Sequence, residues 1–346
     1  MIYYIYLKLT FRQIYDRIIV LRKKEERKMK LSLIIPCYNE EGSLTPLYNE
    51  LIRVSKEMSS YDFEYIFVDD GSKDKTLEII KDLAKNDERI TYIAFSKNFG
   101  KESAMYAGFC NATGDYVAVM DADMQDPPAL LPKMVEILES GEYDSVATRR
   151  VDRKGEPPVR SLFANIFYML FKRVSNVSIV SGARDFRLMK REMVDAIVAM
   201  CEHNRFSKGI FGWIGFKTYW LPFENVERVA GQSKWSFWKL FKYSFDGICA
   251  FSDKLLYLPF YLSLFLALVS TAPLAYFIYF CATFGFWMGY PALACSLILF
   301  TILAIGTLLF LCLGILGAYV SKIHGDTKGR PHYIVAQTNK KDVVRK

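Results

Sequence analysis

Between Lys254 and Lys322 lies a run of 67 residues, Leu255–Ser321, without one Asp, Glu, Lys or Arg. A soluble domain of ordinary composition carries roughly a quarter charged residues over such a span. The 45 basic and 37 acidic side chains of this 346-residue chain therefore all lie outside the run, where composition is that of a soluble protein. A soluble domain joined to a membrane segment follows. A helix needs about 20 apolar residues to cross the hydrocarbon core, so the run has length for two crossings. Gly285, Gly289 and Pro291 cluster with Phe286, Trp287 and Tyr290 near its middle. Turn formers and interfacial aromatics of this kind mark a hairpin, and they predict helices over 255–284 and 291–321. A helical hairpin buried in a globule is the other reading, but an apolar run this long rarely stays inside one.

Charge placement orients the segment. Lys239, Lys242 and Lys254 precede it, and Lys322, Lys328 and Arg330 follow it. Positive residues favour the cytoplasmic side, which predicts a multi-pass inner-membrane protein with a cytoplasmic soluble domain. Net charge is +8. Residues 1–30 carry +6 and residues 322–346 carry +5, leaving −3 for 31–321. Basic ends beside an apolar segment suit anionic lipid headgroups; nucleic-acid binding would need a basic folded domain. No charge sits at bilayer depth, where ion pathways and proton relays usually need one. The helices thus read as an anchor, against the alternative of a lipid-linked sugar flippase or transporter component.

Two more stretches, Arg160–Arg173 and Trp235–Phe245, mix large apolar side chains with Lys or Arg. That is the pattern of helices lying in a membrane interface; a core-facing helix is the plainer reading. Residues 1–29 form a basic leader whose apolar residues precede its charges, the wrong order for a signal peptide. A soluble domain over 30–230, an interfacial segment over 231–254 and a basic tail over 322–346 complete the division. The 7 cysteines form no C-x-x-C pair and the 3 histidines are scattered, which argues against a disulfide framework or a zinc site.

From Lys30 onward short β-branched runs alternate with helical patterns. Candidate strands are Leu31–Pro36, Glu64–Asp69, Ile90–Phe95, Asp115–Met120 and Asp144–Thr148; helical patterns include Ser43–Met58 and Lys75–Asn86. Such alternation predicts a βαβ-built, largely parallel sheet, whose ligands bind at the carboxyl ends of its strands. Three of those ends are polar: Pro36-Cys37-Tyr38-Asn39-Glu40-Glu41, Val68-Asp69-Asp70-Gly71-Ser72 and Met120-Asp121-Ala122-Asp123-Met124-Gln125-Asp126-Pro127-Pro128. Neither G-x-G-x-x-G nor a P-loop occurs. Asp121 and Asp123, two apart at a strand end, offer hard oxygen donors for Mg²⁺ or Mn²⁺, and Gln125 offers a third. Singly, each residue has a plainer reading. Asp69 and Asp74 suit turns and caps, Arg187 and Lys190 suit a solvated surface, and Arg149 with Arg150 suits a weak surface pair.

These three segments, with Ser96-Lys97-Asn98-Phe99-Gly100-Lys101, Asp185-Phe186-Arg187-Leu188 and the two-helix anchor, resemble the family 2 inverting glycosyltransferases of GT-A fold. Within that family the chain is most similar to the polyprenyl-phosphate sugar transferases, dolichol-phosphate mannose synthases and, more so, bactoprenol glucosyltransferases. The resemblance spans about residues 30–330. It implies a GT-A, Rossmann-like, mainly parallel domain that moves a sugar from a nucleotide sugar to polyprenyl phosphate with inversion. Pro36, Tyr38 and Glu40 would line the base and ribose pocket; Val68 and Asp70 would contact the nucleobase. Asp121, Ala122 and Asp123 would contact the nucleotide, with Asp123 and Gln125 as metal ligands. Arg149 would meet the diphosphate, Arg228, Gly231, Ser233 and Lys234 the lipid phosphate, and Asp185 matches the proposed base. UDP-glucose and undecaprenyl phosphate are the implied substrates, GDP-mannose the other donor, and a homotetramer the implied assembly. Lys101 stands where the family often has His. Gln232-Ser233-Lys234-Trp235 departs from the Q-x-x-R-W of processive synthases, which argues against a polymer synthase.

Overall fold

The computed structural model describes residues 28–151, 182–223, 247–252, 254–284 and 291–344, with positions 169, 173, 175, 177 and 180. Its soluble part begins as expected, with strands and helices in turn. β1 (Met29–Cys37), β2 (Tyr61–Asp69), β3 (Ile90–Phe95) and β4 (Tyr116–Val119) run parallel in the order β4-β1-β2-β3. Between them come α1 (Leu44–Glu57), α2 (Thr76–Asn86) and α3 (Lys101–Asn111). A 3₁₀ turn at Pro128–Leu130 leads into α4 (Leu131–Glu139) and then β5 (Ser145–Arg150).

Three strands lie outside the sequence expectation. β6 (Ala183–Lys190) inserts antiparallel between β4 and β5, and β7 (Thr218–Phe223) pairs parallel to β5 at one edge. Helices α5 (Arg191–Ala199) and α6 (Ser207–Trp213) lie between those two in sequence. β8 (Val335–Thr338) falls within the residues read as a basic tail and pairs antiparallel to β3 at the other edge. Eight strands thus form one sheet, β7-β5-β6-β4-β1-β2-β3-β8. The tail is anchored where its apolar residues find the domain: Tyr333 is 2 % exposed and stacks on Phe95 at 4.9 Å.

Both sheet faces are buried, which is why β1 and β2 read as near-continuous apolar runs. Under one face, Leu44, Leu47, Leu51 and Val54 of α1 pack with Ile80 of α2 and Leu131, Met134 and Leu138 of α4. Under the other, Ala104–Phe109 of α3 pack with Met193, Val194 and Ile197 of α5 and Ile210 and Phe211 of α6. In α1 and α4 the intervals of three and four are those of helices with one apolar stripe, whereas α3 is buried without a break from Ala104 to Phe109. The result is an α/β, three-layer, mostly parallel sheet.

Beyond the domain come α7 (Lys254–Phe284) and α8 (Pro291–Thr327), which touch each other. Among the described residues, Ala304–Thr327 is a segment long and apolar enough to cross a membrane, with mean hydropathy 2.1 and none of its apolar window buried in the protein. Phe310, Leu313 and Val320 of α8, like Phe260, Leu264 and Leu268 of α7, point outward. A helix apolar all round has no stable place in water, and such a surface fits lipid. The α8 helix runs six residues past its expected end, through Thr327, so that Asp326 accepts the backbone N–H of His203 at 3.0 Å. The leader up to residue 27, the two interfacial stretches apart from Met169 and Arg173, and the break at 285–290 lie outside the described residues.

Candidate active site

Parallel strands bring their carboxyl ends to one edge. Pro36 pairs with Val68 and Cys37 with Asp69, while Ile34 pairs with Val119 of β4. The three polar strand ends therefore meet. β6 runs the other way, so its start lies at the same edge. Val119 pairs with Arg187, and two further steps along each antiparallel strand set Asp121 across from Asp185. The N-terminus of α3 arrives there as well, carrying Lys101.

That geometry produces one central contact. The Lys101 ammonium lies 2.5 Å from Asp121 Oδ1 and 2.5 Å from Asp185 Oδ2. Burial opposes charge on Asp185, but Lys101, then Lys208 and Arg184, outweigh it and hold the carboxyl well below the usual carboxylate range. Burial also opposes charge on Lys101, and Asp121 and Asp185 outweigh it, so its ammonium is held above the usual lysine range. About a third of the Lys101 side chain (34 %) stays accessible. Water therefore screens the cluster, and its value lies in fixing two carboxylates more than in stability.

A second pair sits behind the first. Arg184 Nε donates to Asp126 Oδ1 at 2.9 Å, and Asp126 is fully buried. Burial pushes the Asp126 carboxyl up against the pull of Arg184. Pro127 and Pro128 follow directly and start the 3₁₀ turn, which fixes the chain beyond Asp123.

The turns are shaped by left-handed residues. Asn39 (φ 54°) and Met124 (φ 61°) adopt that region without being glycine, which costs of order 1 kcal/mol each and clusters at functional sites. The Asn39 N–H donates to Ser72 Oγ at 2.9 Å, and Asn39 Oδ1 accepts from the Lys73 N–H at 2.8 Å. The Glu40 N–H donates to Thr76 Oγ1 at 2.7 Å, while Asp74 accepts the Thr76 N–H at 3.0 Å in the turn before α2. Asp70 accepts backbone N–H groups from Phe99 at 2.6 Å and Gly100 at 3.0 Å. Burial pushes its carboxyl up to about 6, against those two bonds.

Most of the expected site residues thus share one edge. Pro36, Tyr38, Glu40 and Asp121 are part-exposed there; Val68, Asp70, Ala122 and Asp123 are buried beside them. Arg149 is exposed at the end of β5. Arg228, Gly231, Ser233 and Lys234 lie outside the described residues. Asp121, Asp123 and the Gln125 side-chain carbonyl form an all-oxygen set suited to Mg²⁺ or Mn²⁺. Asp123 Oδ1 accepts the Gln125 N–H at 3.1 Å, which ties the two together. Among the described residues no three carboxylate, imidazole or thiolate groups form a closed cage. An open set of one or two carboxylates fits a divalent ion whose other ligands are water and substrate phosphates.

Comparison with known proteins places this edge in context. The model of glycosyl transferase family 2 matches residues 32–198, which contain most of β1, all of β2 to β6 and every carboxylate of this edge. A prophage bactoprenol glucosyl transferase homolog of Escherichia coli (strain K12) is 38% identical over 313 residues, covering 90% of this chain and 100% of that one. The chain belongs to glycosyl transferase family 2. It is an enzyme, a glycosyltransferase with an α/β, GT-A-like fold. A bactoprenol glucosyl transferase of Shigella phage SfX is likewise 38% identical, over 308 residues, covering 89% of this chain and 99% of that one. The mannosyltransferase PcManGT of Pyrobaculum calidifontis, solved with GDP-Man and Mn²⁺, aligns with a TM-score of 0.43 at 18% identity, over 60% of this chain and 59% of that one.

Sequence reasoning left out Arg184 and Asp126 as partners and misplaced Arg187. Read as solvated, Arg187 is 4 % exposed and lies over the rings of Phe211 and Trp220. A basic residue inside a short charged strand looks alike in sequence whether its side chain turns outward or inward.

Proposed function

We propose that this glycosyltransferase is membrane-anchored and moves glucose from UDP-glucose to polyprenyl phosphate, with undecaprenyl phosphate as the acceptor and a β-linked polyprenyl monophosphate glucose as product. The observation that carries the reading is the Lys101 bridge between Asp121 and Asp185 at the carboxyl edge of the sheet. Relatives named bactoprenol glucosyl transferase, matched over nearly their whole length, support the sugar and the lipid.

The chemistry follows from the parts. A lipid phosphate has its second ionisation near pH 6, so its oxygen arrives already charged and needs little help from a base. Asp185, held ionised by Lys101, is correspondingly poor at taking a proton; its role is to orient the acceptor or the sugar hydroxyls. The phosphate oxygen attacks the anomeric carbon from the face opposite the nucleotide. The new C–O bond forms as the old one breaks, its electrons leaving with the nucleoside diphosphate, and an α-linked donor gives a β-linked product. Asp123 and Gln125 would hold Mg²⁺ or Mn²⁺, which when bound neutralises charge on the departing diphosphate. Arg149, at the end of β5, meets the same group.

The chain path supports the anchor. The polypeptide leaves the domain before α7 and rejoins its sheet as β8 after α8. Two apolar helices between two points on one domain suit a hairpin that crosses twice and keeps both ends on the domain's side, the cytoplasmic one by the flanking lysines.

Asp121→Ala and Asp123→Ala test the reading in detergent with UDP-glucose and undecaprenyl phosphate. Each is expected to lose transfer by at least about 10²-fold. Wild-type rates in both variants would end the assignment of this edge as the reaction centre.

A further inference from the structure

Beside Asp185, on the face covered by α6, lies a cavity of about 230 Å³. Its walls include Arg184, Arg187, Lys208, Phe211, Thr218 and Trp220. Among the described residues, three cations line it and no carboxylate does. The two carboxylates nearby are already engaged, Asp185 by Lys101 and Asp126 by Arg184.

Arg187 is the unusual member. Its guanidinium is fixed by aromatic rings at 4.5 Å (Phe211) and 5.3 Å (Trp220). One nitrogen, Nη1, donates to the hydroxyls of Ser145 at 3.0 Å and Thr218 at 3.2 Å. Among the described residues, Nε is buried without a hydrogen-bond partner, and Arg184 Nη2 is left in the same state. Neutral hydroxyls supply no counter-charge. Asp185, already bridged to Lys101, offsets only part of the cost of burying this cation: burial pulls the Arg187 guanidinium down to about 9, against the pull of Asp185. Planar guanidinium donors left over beside an ammonium are the chemistry that receives the oxygens of a phosphate.

We infer that the cavity between α6 and the β6–β7 strands is a seat for a phosphate-class oxyanion, with Arg187, Arg184 and Lys208 as its donors. The seat adjoins Asp185 and Asp126, and it differs from the donor edge in that its described charged lining is cationic. The phosphate comes either free from solution or on a lipid headgroup, and the chemistry of the seat is the same for both. The inference does not rest on the transfer reaction, since binding is read with no sugar donor present.

The test uses the full-length protein. Its melting temperature is followed in detergent against potassium phosphate, with potassium chloride at matched ionic strength as reference, and separately in nanodiscs with and without phosphatidic acid. A ligand held only by the folded state raises the midpoint saturably. Lys208 is half-buried and, among the described residues, makes no hydrogen bond or close ion pair, acting on Asp185 only at longer range, so Lys208→Gln should melt near wild type in chloride. The expected result is saturable protection in wild type, with the apparent dissociation constant about 10-fold weaker in Lys208→Gln, as suits loss of one charge-assisted bond. Arg187→Lys, which keeps charge but not the fork, should weaken it further. Protection by free phosphate assigns a soluble ligand. Protection confined to phosphatidic acid, and still sensitive to Lys208→Gln, assigns a headgroup. Absence of protection in both settings, or protection identical in wild type and Lys208→Gln, overturns the seat.

Discussion

Lys101 and Asp185 come from elements 84 residues apart and meet at 2.5 Å. The helix N-terminus after β3 and the first residues of the antiparallel strand β6 reach the same edge, and the ammonium of one holds the carboxylate of the other. Because Lys101 also grips Asp121, it positions both sides of the proposed reaction centre.

A double-mutant cycle exposes that role. Lys101→Met and Asp185→Asn should each reduce transfer by about 10²-fold or more. Together they should cost much less than the product of the two, with a coupling energy of about 0.5–3 kcal/mol. Additive losses would mean that the two side chains act independently.

Glu64 of β2 gathers a small polar network in the sheet. It accepts from Ser32 Oγ at 2.5 Å, from the Thr113 N–H at 3.0 Å and from Lys30 at 3.3 Å. Burial raises the cost of its charge, but these partners outweigh it and hold the carboxyl below its usual value. A depressed carboxyl stabilises the fold above its unfolded value and loses that contribution as pH falls through the folded one. Glu64→Ala leaves buried donors unpaired and should cost about 1–3 kcal/mol. Denaturant midpoints at pH 7 and pH 4 check both points, the gap between wild type and variant being the larger at pH 7.

Asp70 predicts the opposite slope. Its carboxyl is raised to about 6, chiefly by burial. The folded state binds that proton more tightly than the unfolded state. The group's contribution to stability is therefore complete below about pH 4 and is withdrawn as pH climbs through about 6. The advantage of wild type over Asp70→Asn should shrink across that interval by at most ~3 kcal/mol. A melting-temperature difference flat from pH 4 to pH 7 would contradict the assignment.

Gly71 follows Asp70 with φ at +69°, and a Cβ there would lie 2.4 Å from the Lys97 carbonyl carbon. The obstacle is backbone, so it cannot rotate away. Gly71→Ala should destabilise by about 2 kcal/mol or more, from the left-handed conformation plus the forced shift. The shift moves the Phe99 and Gly100 N–H groups that hold Asp70, so UDP affinity, measured by calorimetry, should fall with stability. Unchanged affinity in a folded variant would detach Asp70 from the nucleotide.

Much of this was legible in the chain itself. Ile90–Phe95 was read residue for residue as a strand, and β1, β2 and β4 within three residues at either end, because apolar runs closed by Asp, Gly and Pro carry their own limits. The acidic strand ends could be read as a site because parallel strands bring their ends together. What was not legible depends on contacts distant in sequence. β6 carries Arg184, Asp185, Arg187 and Lys190, four charges that break the apolar signal and are neutralised or enclosed only in the fold. β7 contains Pro222, which an edge strand tolerates. β8 is four residues long and finds its partner about 240 positions back.

The account stands most directly on where the label goes. Membranes holding the protein, incubated with a panel of radiolabelled nucleotide sugars and polyprenyl phosphate, are extracted with organic solvent. Label from UDP-glucose is expected in the organic phase, dependent on Mg²⁺ or Mn²⁺ and absent with Asp123→Ala. Label that stays in the aqueous phase for every sugar tested, or that enters the lipid equally well with Asp123→Ala, would contradict it.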